Sequence, residues 1–113
     1  MSSLPIDLAR SKCKPCEGGV APLKPDEARH LLGQLHDWTL DAAAIAKSYS
    51  FKNHYQAVAF VNAVAWISHR EDHHPDIVLG YNTCRVSYTT HAIGGLSVND
   101  FICAAKVDAL FEL

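Results

Sequence analysis

Apolar positions recur along this chain with two different periods, and each change of period marks a boundary between predicted elements. From Pro25 onward they recur every three or four residues, which indicates a helix with one buried face. Proline suits the first position of a helix, and Asp26 and Glu27 suit its positively polarised first turn. The pattern predicts that this helix ends near Leu35 or His36. Its apolar face comprises Ala28, Leu31, Leu32 and Leu35.

Two short segments with the alternation typical of strands follow this first helix. The first segment is centred on Trp38 and Leu40, which alternate with polar neighbours. The second has one apolar face that Lys47 interrupts, and the two segments together are expected to form a hairpin. The apolar face of the second segment comprises Ile45, Tyr49 and Phe51.

A long helix is predicted from His54 to Asp72, because this stretch lacks glycine and proline and is rich in alanine. Its apolar side chains form one stripe and an additional flank, a wider surface than one face of a sheet would cover. The helix is therefore expected to pack on a partner chain as well, which predicts at least a dimer. The stripe comprises Ala57, Phe60, Val61, Val64 and Ile67, and the flank comprises Tyr55, Val58, Ala59, Ala63 and Trp66.

A second hairpin and a last helix complete the pattern. Pro75 must end the long helix, and alternation over 76–88 predicts two strands joined by a tight turn at 82–83. Ser97 with Asp100 matches a helix N-terminal capping pair. The last helix is lined by Val98, Phe101, Ile102, Ala105 and Ala109.

The resulting order is helix, two strands, helix, two strands, helix. It predicts an α+β fold in which a four-stranded antiparallel sheet carries its helices on one face. Residues 1–23 are expected to form an irregular N-terminal arm, because proline and glycine punctuate them without periodicity. Residues 24–113 are expected to form a single domain. A chain of 113 residues is long enough to fold without a metal or a disulfide.

The charge and composition of the chain argue against several classes of function. The formal net charge is −2 and no basic run occurs, which argues against binding of nucleic acid through its phosphates. No apolar run approaches the ~18 residues of a membrane span, and the N-terminus lacks the pattern of a secretory signal. A cytoplasmic protein is expected, and its cysteines are then expected to be free thiols.

Cys13 and Cys16 form a CxxC motif within the arm. A zinc site would need two further ligands, and none lies nearby in sequence, although Cys84, Cys103 or a histidine could approach in space. A redox motif would open a helix after a strand, which the pattern does not predict here. An unliganded arm is therefore the prediction, with a zinc site as the alternative.

The residues most informative about chemistry are three histidines and one carboxylate. His73 and His74 lie at the end of the long helix, His91 follows the second hairpin, and Asp100 lies in the first turn of the last helix. The outer ends of a hairpin meet, so this topology brings the three histidines together with Asp100 nearby. Imidazoles can exchange protons near neutral pH or bind a metal. The structural alternatives are that the histidine pair caps helix carbonyls and that Asp100 only caps its helix.

Five separated sequence elements resemble the signature of the pterin-4a-carbinolamine dehydratase family. The similarity runs from about Leu23 to Leu113, and its tail, residues 99–108, is typical of bacterial-type members. The elements are His73-His74-Pro75, Tyr81, Thr90-His91, Gly95-Leu96-Ser97 and Asp100. The resemblance implies the element order given above, a homodimer or homotetramer, and no metal or other cofactor.

The resemblance also implies an activity, the dehydration of 4a-hydroxytetrahydropterin to quinonoid dihydropterin and water by histidine acid–base catalysis. This step recycles the tetrahydrobiopterin-type cofactor of aromatic amino acid hydroxylases. An animal member also assists dimerisation of a homeodomain transcription factor, and some members are associated with molybdopterin metabolism. The rival classes for this chain are a non-catalytic dimeric interaction module and a zinc-binding protein or zinc-dependent hydrolase.

The roles of the site residues are likewise implied by the resemblance. His73 and His91 are the acid and the base, in an order left open, and His74 positions the substrate. Asp100 would orient a histidine and favour its protonated form. Trp38 and Tyr81 are candidate apolar walls for the pterin ring.

One position departs from the family pattern. Many active members carry Glu four residues before the first histidine of the pair, and this chain has His69 there. The i, i+4 spacing predicts that His69 shares a helix face with His73. A histidine at this position cannot supply the negative charge of a carboxylate, so we expect it to alter the titration of its neighbour.

Overall fold

The structure is a computed structural model that describes residues 7–15 and 20–112. Its helices and strands follow the predicted order of an α+β fold, which confirms the architecture. The helices are α1 (Pro25–Leu32), α2 (His54–Glu71) and α3 (Val98–Ala109), and the strands are β1 (Thr39–Asp41), β2 (Ala44–Ser50), β3 (Asp76–Leu79) and β4 (Thr83–Tyr88). Short 3₁₀ turns occupy Leu8–Arg10, His91–Ile93 and Leu110–Glu112.

Within the described residues the four strands form one antiparallel sheet in the order β1-β2-β4-β3. Both predicted hairpins are present, and β2 pairs with β4 at the centre of the sheet. One face packs on the helices, whereas Arg85 and Val78 on the opposite face are exposed. The helices therefore cover one face of the sheet, as predicted. The side chains of β4 on the covered face are Cys84, Val86 and Tyr88, which are all fully buried.

Helix α1 ends at Leu32, earlier than the predicted end near Leu35 or His36. Gly33 follows directly, and the amides of Gln34 and Leu35 then bond to carbonyls three residues back, each at 3.0 Å. This tighter i→i+3 bonding is that of a 3₁₀ turn rather than an α-helix. Leu35 still packs against the core, so its apolar spacing alone could not reveal the change of helix type.

The turn of the second hairpin differs from the predicted turn at 82–83, because Thr83 is already the first residue of β4. The Gly80 amide donates to the Thr83 carbonyl at 2.8 Å, which closes the turn around Tyr81 and Asn82. A Cβ atom at Gly80 would lie 2.7 Å from Thr83 Oγ1, so a larger residue here would displace the Thr83 side chain. Tyr81 therefore lies in the turn and not on β3.

Helix α2 begins after Asn53, whose side chain accepts the Gln56 amide proton at 2.9 Å as an N-cap. Its predicted stripe packs in the core. Part of its second flank faces solvent in the single chain, with Tyr55 86% and Trp66 60% exposed, whereas Val58 and Ala63 are half-buried. The predicted contact of this flank with a partner chain stays a prediction. In the described part of the chain, no helix has the length and apolar character needed to cross a membrane.

Lys47 interrupts the apolar face of β2 because it belongs to a polar network that reaches α3. Asp108 accepts hydrogen bonds from Lys47 Nζ at 2.9 Å, from Trp38 Nε1 at 2.9 Å and from Tyr49 Oη at 2.6 Å. Burial, followed by the bond to Asp108, raises the pKa of Tyr49 well above its ordinary value, so this phenol remains a donor. The network joins β2, the residue before β1 and the end of α3.

The arm is attached to the rest of the molecule through its described residues. Leu8 is buried in the same hydrophobic core as the sheet and the helices. Lys106 Nζ of α3 donates to the Ala9 carbonyl at 2.8 Å. The arm was predicted to be irregular, and it contains a single 3₁₀ turn in this region.

We expect Asp108→Ala to lower the free energy of unfolding by about 2–4 kcal/mol, because three donors lose a shared, mostly buried acceptor. Urea unfolding measures this change. The matched control is Asp41→Ala, which removes a surface ion pair to Arg85 at 3.6 Å and should change stability little. Equal losses in the two variants would show that the network contributes no more than a surface pair.

Candidate active site

The histidine pair is positioned by the way α2 ends. Asp72 adopts a left-handed conformation (φ 50°), which Asp tolerates better than most residues. The amides of Asp72 and His73 both bond to the Ser68 carbonyl, the latter at 3.2 Å. Pro75 cannot continue a helix. The chain therefore turns out of α2, and the two histidines precede the first residue of β3.

The register of the second hairpin then brings the third histidine to the same place. Asp76 at the start of β3 pairs with Ser87 near the end of β4. The Thr90 amide donates to the Gly95 carbonyl at 3.0 Å, which closes the loop that carries His91. The predicted meeting of the hairpin ends is thus confirmed. All three histidines line one open cavity of about 560 Å³, together with Cys13, Lys14, Pro15, Arg70, Glu71, Asp72, Thr89, Thr90, Ala92 and Asn99.

The carboxylate of Asp100 holds His73 beside this cavity. His73 Nε2 lies 2.6 Å from Asp100 Oδ1, and Asp100 is fully buried. The second oxygen, Oδ2, accepts from the Thr90 hydroxyl at 2.8 Å and from the Ser97 amide at 2.9 Å. When Asp100 is ionised its carboxylate can only accept, and the partner it then selects is the His73 tautomer with a proton on Nε2. Nδ1 is then the nitrogen of the neutral ring that can exchange a proton with a ligand.

The phenol ring of Tyr88 packs against the imidazole ring of His73. The two rings stack with centroids 5.8 Å apart and an interplanar angle of 7°. Ser68 lies near the Tyr88 hydroxyl. The Ser68 hydroxyl, however, donates to the Val64 carbonyl at 3.0 Å. The Tyr88 hydroxyl has no hydrogen-bond partner within bonding geometry among the described residues. Burial raises the pKa of Tyr88 well above its ordinary value, so the phenol is neutral.

His74 and His91 differ from His73 in their exposure. Both are exposed while lining the cavity, whereas the side chain of His73 is only 12% exposed. A mostly buried imidazole held by a carboxylate keeps one orientation, and exposed imidazoles can exchange protons directly with water. The cavity is therefore lined by one imidazole of fixed orientation and by two solvent-accessible imidazoles.

The N-terminal arm provides a wall of this cavity that the sequence pattern did not predict. The Cys13 amide donates to Glu71 Oε1 at 2.9 Å. The side-chain amide of Asn99 binds both backbone groups of Lys14, accepting from its N–H at 3.0 Å and donating to its carbonyl at 2.5 Å. These partners lie 58 and 85 residues apart in sequence. No local pattern of residues signals such contacts.

Two residues proposed as pterin walls do not reach the cavity in this chain. Trp38 is buried in the core, with its indole nitrogen bonded to Asp108 at 2.9 Å. Tyr81 lies in the turn at the other end of the hairpin, where it is 72% exposed and stacks on His54. The walls that the chain itself supplies come from the arm and from the loop after β4.

The expected position of His69 is corrected by the end of α2. The i, i+4 rule applies within a helix, but α2 ends at Glu71 and the left-handed Asp72 separates His73 from it. His69 is exposed, packs against Trp66 with ring centroids 5.5 Å apart, and is absent from the cavity lining. The spacing therefore gives no basis for a shared face with His73.

The zinc alternative finds no ligand set in the described part of the chain. Among residues 7–15 and 20–112, no group of three or more His, Cys, Asp or Glu side chains is arranged to hold a metal ion. Cys16, half of the CxxC motif, lies outside the described residues. Cys13 instead lies against Cys103, with their sulfur atoms 3.5 Å apart.

Comparison with known sequences places this arrangement in a family. The family model described as Pterin 4 alpha carbinolamine dehydratase matches residues 21–110. A Nitrosomonas eutropha protein with the provisional name pterin-4-alpha-carbinolamine dehydratase is 69% identical over 105 residues, covering 92% of this chain and 93% of its own. A Nitrosospira multiformis protein with the same provisional name is 64% identical over 107 residues, 95% of each chain.

Solved structures are similar over the same region. A transcriptional coactivator/pterin dehydratase of Brucella melitensis superposes with a TM-score of 0.75 at 31% identity, covering 79% of this chain and 97% of its own. A pterin dehydratase-like protein identified as a RuBisCO assembly factor of the alpha-carboxysome has a TM-score of 0.57 at 27% identity, covering 66% of this chain and 89% of its own. The chain therefore belongs to the pterin 4 alpha carbinolamine dehydratase family.

Proposed function

We propose that this chain catalyses the dehydration of 4a-hydroxytetrahydropterin to quinonoid dihydropterin and water. The observation that supports this most directly is the cavity in which His73, held by buried Asp100, faces the same space as His74 and His91. Two separate proton transfers require two groups that can gain or lose a proton near neutral pH, and imidazoles can do so. Family membership supplies the substrate class.

The chemistry needs a proton delivered at one atom and a proton removed at another. The bond between C4a and the hydroxyl oxygen breaks, and the leaving hydroxyl takes up a proton to become water. The pterin nitrogen N5 loses its proton, and its electron pair completes a double bond to C4a. No electron enters or leaves the pterin overall, so an acid and a base suffice.

We assign these two transfers to His73 and His91, with His74 positioning the substrate. Asp100 keeps the His73 ring in one tautomer, and the stack on Tyr88 keeps it in one plane. This arrangement lets Nδ1 of His73 meet a bound pterin without reorientation, which lowers the entropic part of the barrier. His91 and His74 are supplied by the loop after β4 and by the segment before β3, so they approach the ligand from different elements.

A non-catalytic interaction module is the second candidate, because one structural neighbour is titled a RuBisCO assembly factor and another a transcriptional coactivator/pterin dehydratase. An interaction module has no need for a carboxylate-held histidine beside an open cavity. Turnover of freshly generated 4a-hydroxytetrahydropterin separates the two. Activity above the spontaneous rate supports the dehydratase, and its absence in folded protein supports the module.

We further propose that the protein is a homodimer or homotetramer that serves an aromatic amino acid hydroxylase. The exposed flank of α2, with Tyr55 and Trp66, supports self-association. Sedimentation at micromolar concentration should give a mass of at least twice 12.4 kDa. Trp66→Glu should shift the equilibrium toward monomer, while the matched change Val78→Glu on the outer sheet face should not. A 12.4 kDa wild-type species would contradict this proposal.

His73→Ala and His91→Ala should each lower kcat by ~10²-fold or more, because each removes a proton-transfer group that acts in the transition state. His74→Ala should mainly raise KM, since a positioning contact stabilises ground state and transition state alike. His30→Ala, on the exposed side of α1, is the control and should change neither constant. Wild-type kcat in all three site variants would refute the assignment of roles.

Tyr88→Phe should leave kcat unchanged and raise stability by about 1 kcal/mol, because it keeps the ring under His73 and removes a buried hydroxyl that lacks a hydrogen bond. Tyr88→Leu removes the stack and should lower kcat more than it changes KM. Urea unfolding and initial-rate kinetics provide the two readouts. A loss of stability in Tyr88→Phe would mean that the phenol is hydrogen-bonded, by Ser68 or by an ordered water.

A further inference from the structure

Two thiols that the proposed reaction does not use lie against each other where the arm meets α3. Cys13 Sγ is 3.5 Å from Cys103 Sγ, and the two residues are 90 positions apart in sequence. Cys13 is partly exposed and lines the cavity, whereas Cys103 is fully buried in α3. A disulfide needs its sulfur atoms at about 2.05 Å, so the two sulfur atoms have to move closer by about 1.5 Å for the bond to form.

The backbone around Cys13 is already held close to that position. Its own amide is bonded to Glu71, and the backbone of the next residue, Lys14, is bonded twice to the side chain of Asn99. Asn99 and Cys103 both belong to α3 and are one helical turn apart. The approach of the two sulfur atoms is therefore maintained by three hydrogen bonds.

The arm is an addition to the family's common core. The family model matches from residue 21, and the Brucella melitensis structure covers 79% of this chain with 97% of its own length. Cys13, Lys14 and Pro15 nevertheless form part of the cavity wall beside His73. A covalent link at Cys13 would fix a wall that the common core lacks.

We propose that Cys13 and Cys103 are a reversible redox modification site, at which a disulfide fastens the N-terminal arm to α3 and fixes one wall of the cavity. The oxidant is a low-molecular-weight disulfide of the glutathione type. The consequence for substrate binding rests on the proposed function, whereas the formation of the disulfide does not.

The accessibility of the two thiols sets the order of the exchange. The Cys13 thiolate attacks one sulfur of the small disulfide, and the first small thiolate leaves with the electron pair of the broken bond. Cys103 then attacks the Cys13 sulfur, and the second small thiolate leaves and takes up the proton that Cys103 loses. The hydrogen bond with Cys13, followed by burial, raises the pKa of Cys103, which agrees with Cys13 as the first nucleophile. Two protein thiols and one small disulfide give one protein disulfide and two small thiols.

The test incubates the full chain with oxidised glutathione and maps its disulfides by mass spectrometry of a non-reducing digest. We expect a peptide pair joined through Cys13 and Cys103. Thermal unfolding should shift upward by ~5 °C or more, because the link closes a long loop in the unfolded chain, and a reductant should reverse the shift. Cys13→Ser should abolish both effects, and the matched arm variant Cys16→Ser should retain both.

Because Cys103 is fully buried, Cys103→Ala is a second variant that tests the pair without adding a polar group. With this variant, oxidation should stop at a mixed disulfide of Cys13 with glutathione. A Cys13–Cys16 link in the wild type would overturn the proposal, as would a wild-type protein that also stops at the mixed disulfide.

Kinetics separate this proposal from the proposed function. The oxidised protein should show a KM for the carbinolamine at least twofold below that of the reduced protein, with kcat unchanged. If the protein with the mapped Cys13–Cys103 link has the same KM as the reduced protein, the proposed effect of the fixed wall on substrate binding is refuted. Absence of turnover in both redox forms would refute the proposed function, and the peptide map would still decide whether the disulfide forms.

Discussion

The carboxylate of Asp100 is buried where α3 begins, and a buried charge is stable only when its oxygens are hydrogen-bonded. Its donors are the His73 imidazole, the Thr90 hydroxyl and the Ser97 amide. They belong to the end of α2, to the loop after β4 and to the first residue before α3. Because these three donors converge on one carboxylate, the chain segments that carry them are held at a common point. The cavity lies between the segment that carries His73 and the loop that carries Thr90.

Helix α3 carries a second carboxylate of this kind near its other end. Asp108 also accepts three hydrogen bonds from side chains distant in sequence, and eight residues of helix separate it from Asp100 by about 12 Å. Between the two, Phe101 and Val107 fill the core. Helix α3 is thus hydrogen-bonded at two points, through Asp100 and through Asp108, to segments that flank or form the strands of the sheet. Trp38 belongs to the Asp108 end, which explains why a residue suited to stack on a pterin is unavailable to the cavity.

The sequence predicted the element order, both hairpins and the meeting of His73, His74 and His91, because these follow from local periodicity and from the antiparallel pairing of neighbouring strands. It did not predict the wall made by Cys13 and Lys14, because those contacts join residues 58 to 90 positions apart and no periodicity records them. The shared face of His69 and His73 was wrong for a related reason. The left-handed residue that ends α2 is set by tertiary context, and helical spacing does not extend past it.

Helix capping and contact with a histidine are alternative roles for Asp100 in the sequence, and the two oxygens of its carboxylate make both contacts. Oδ2 accepts the Ser97 amide and starts the helix, while Oδ1 orients His73. The position of the imidazole is therefore tied to the start of α3. His74 and His91 remain exposed, so their imidazoles can exchange protons with water. One cavity is thus lined by an imidazole held by a buried carboxylate and by two imidazoles open to solvent.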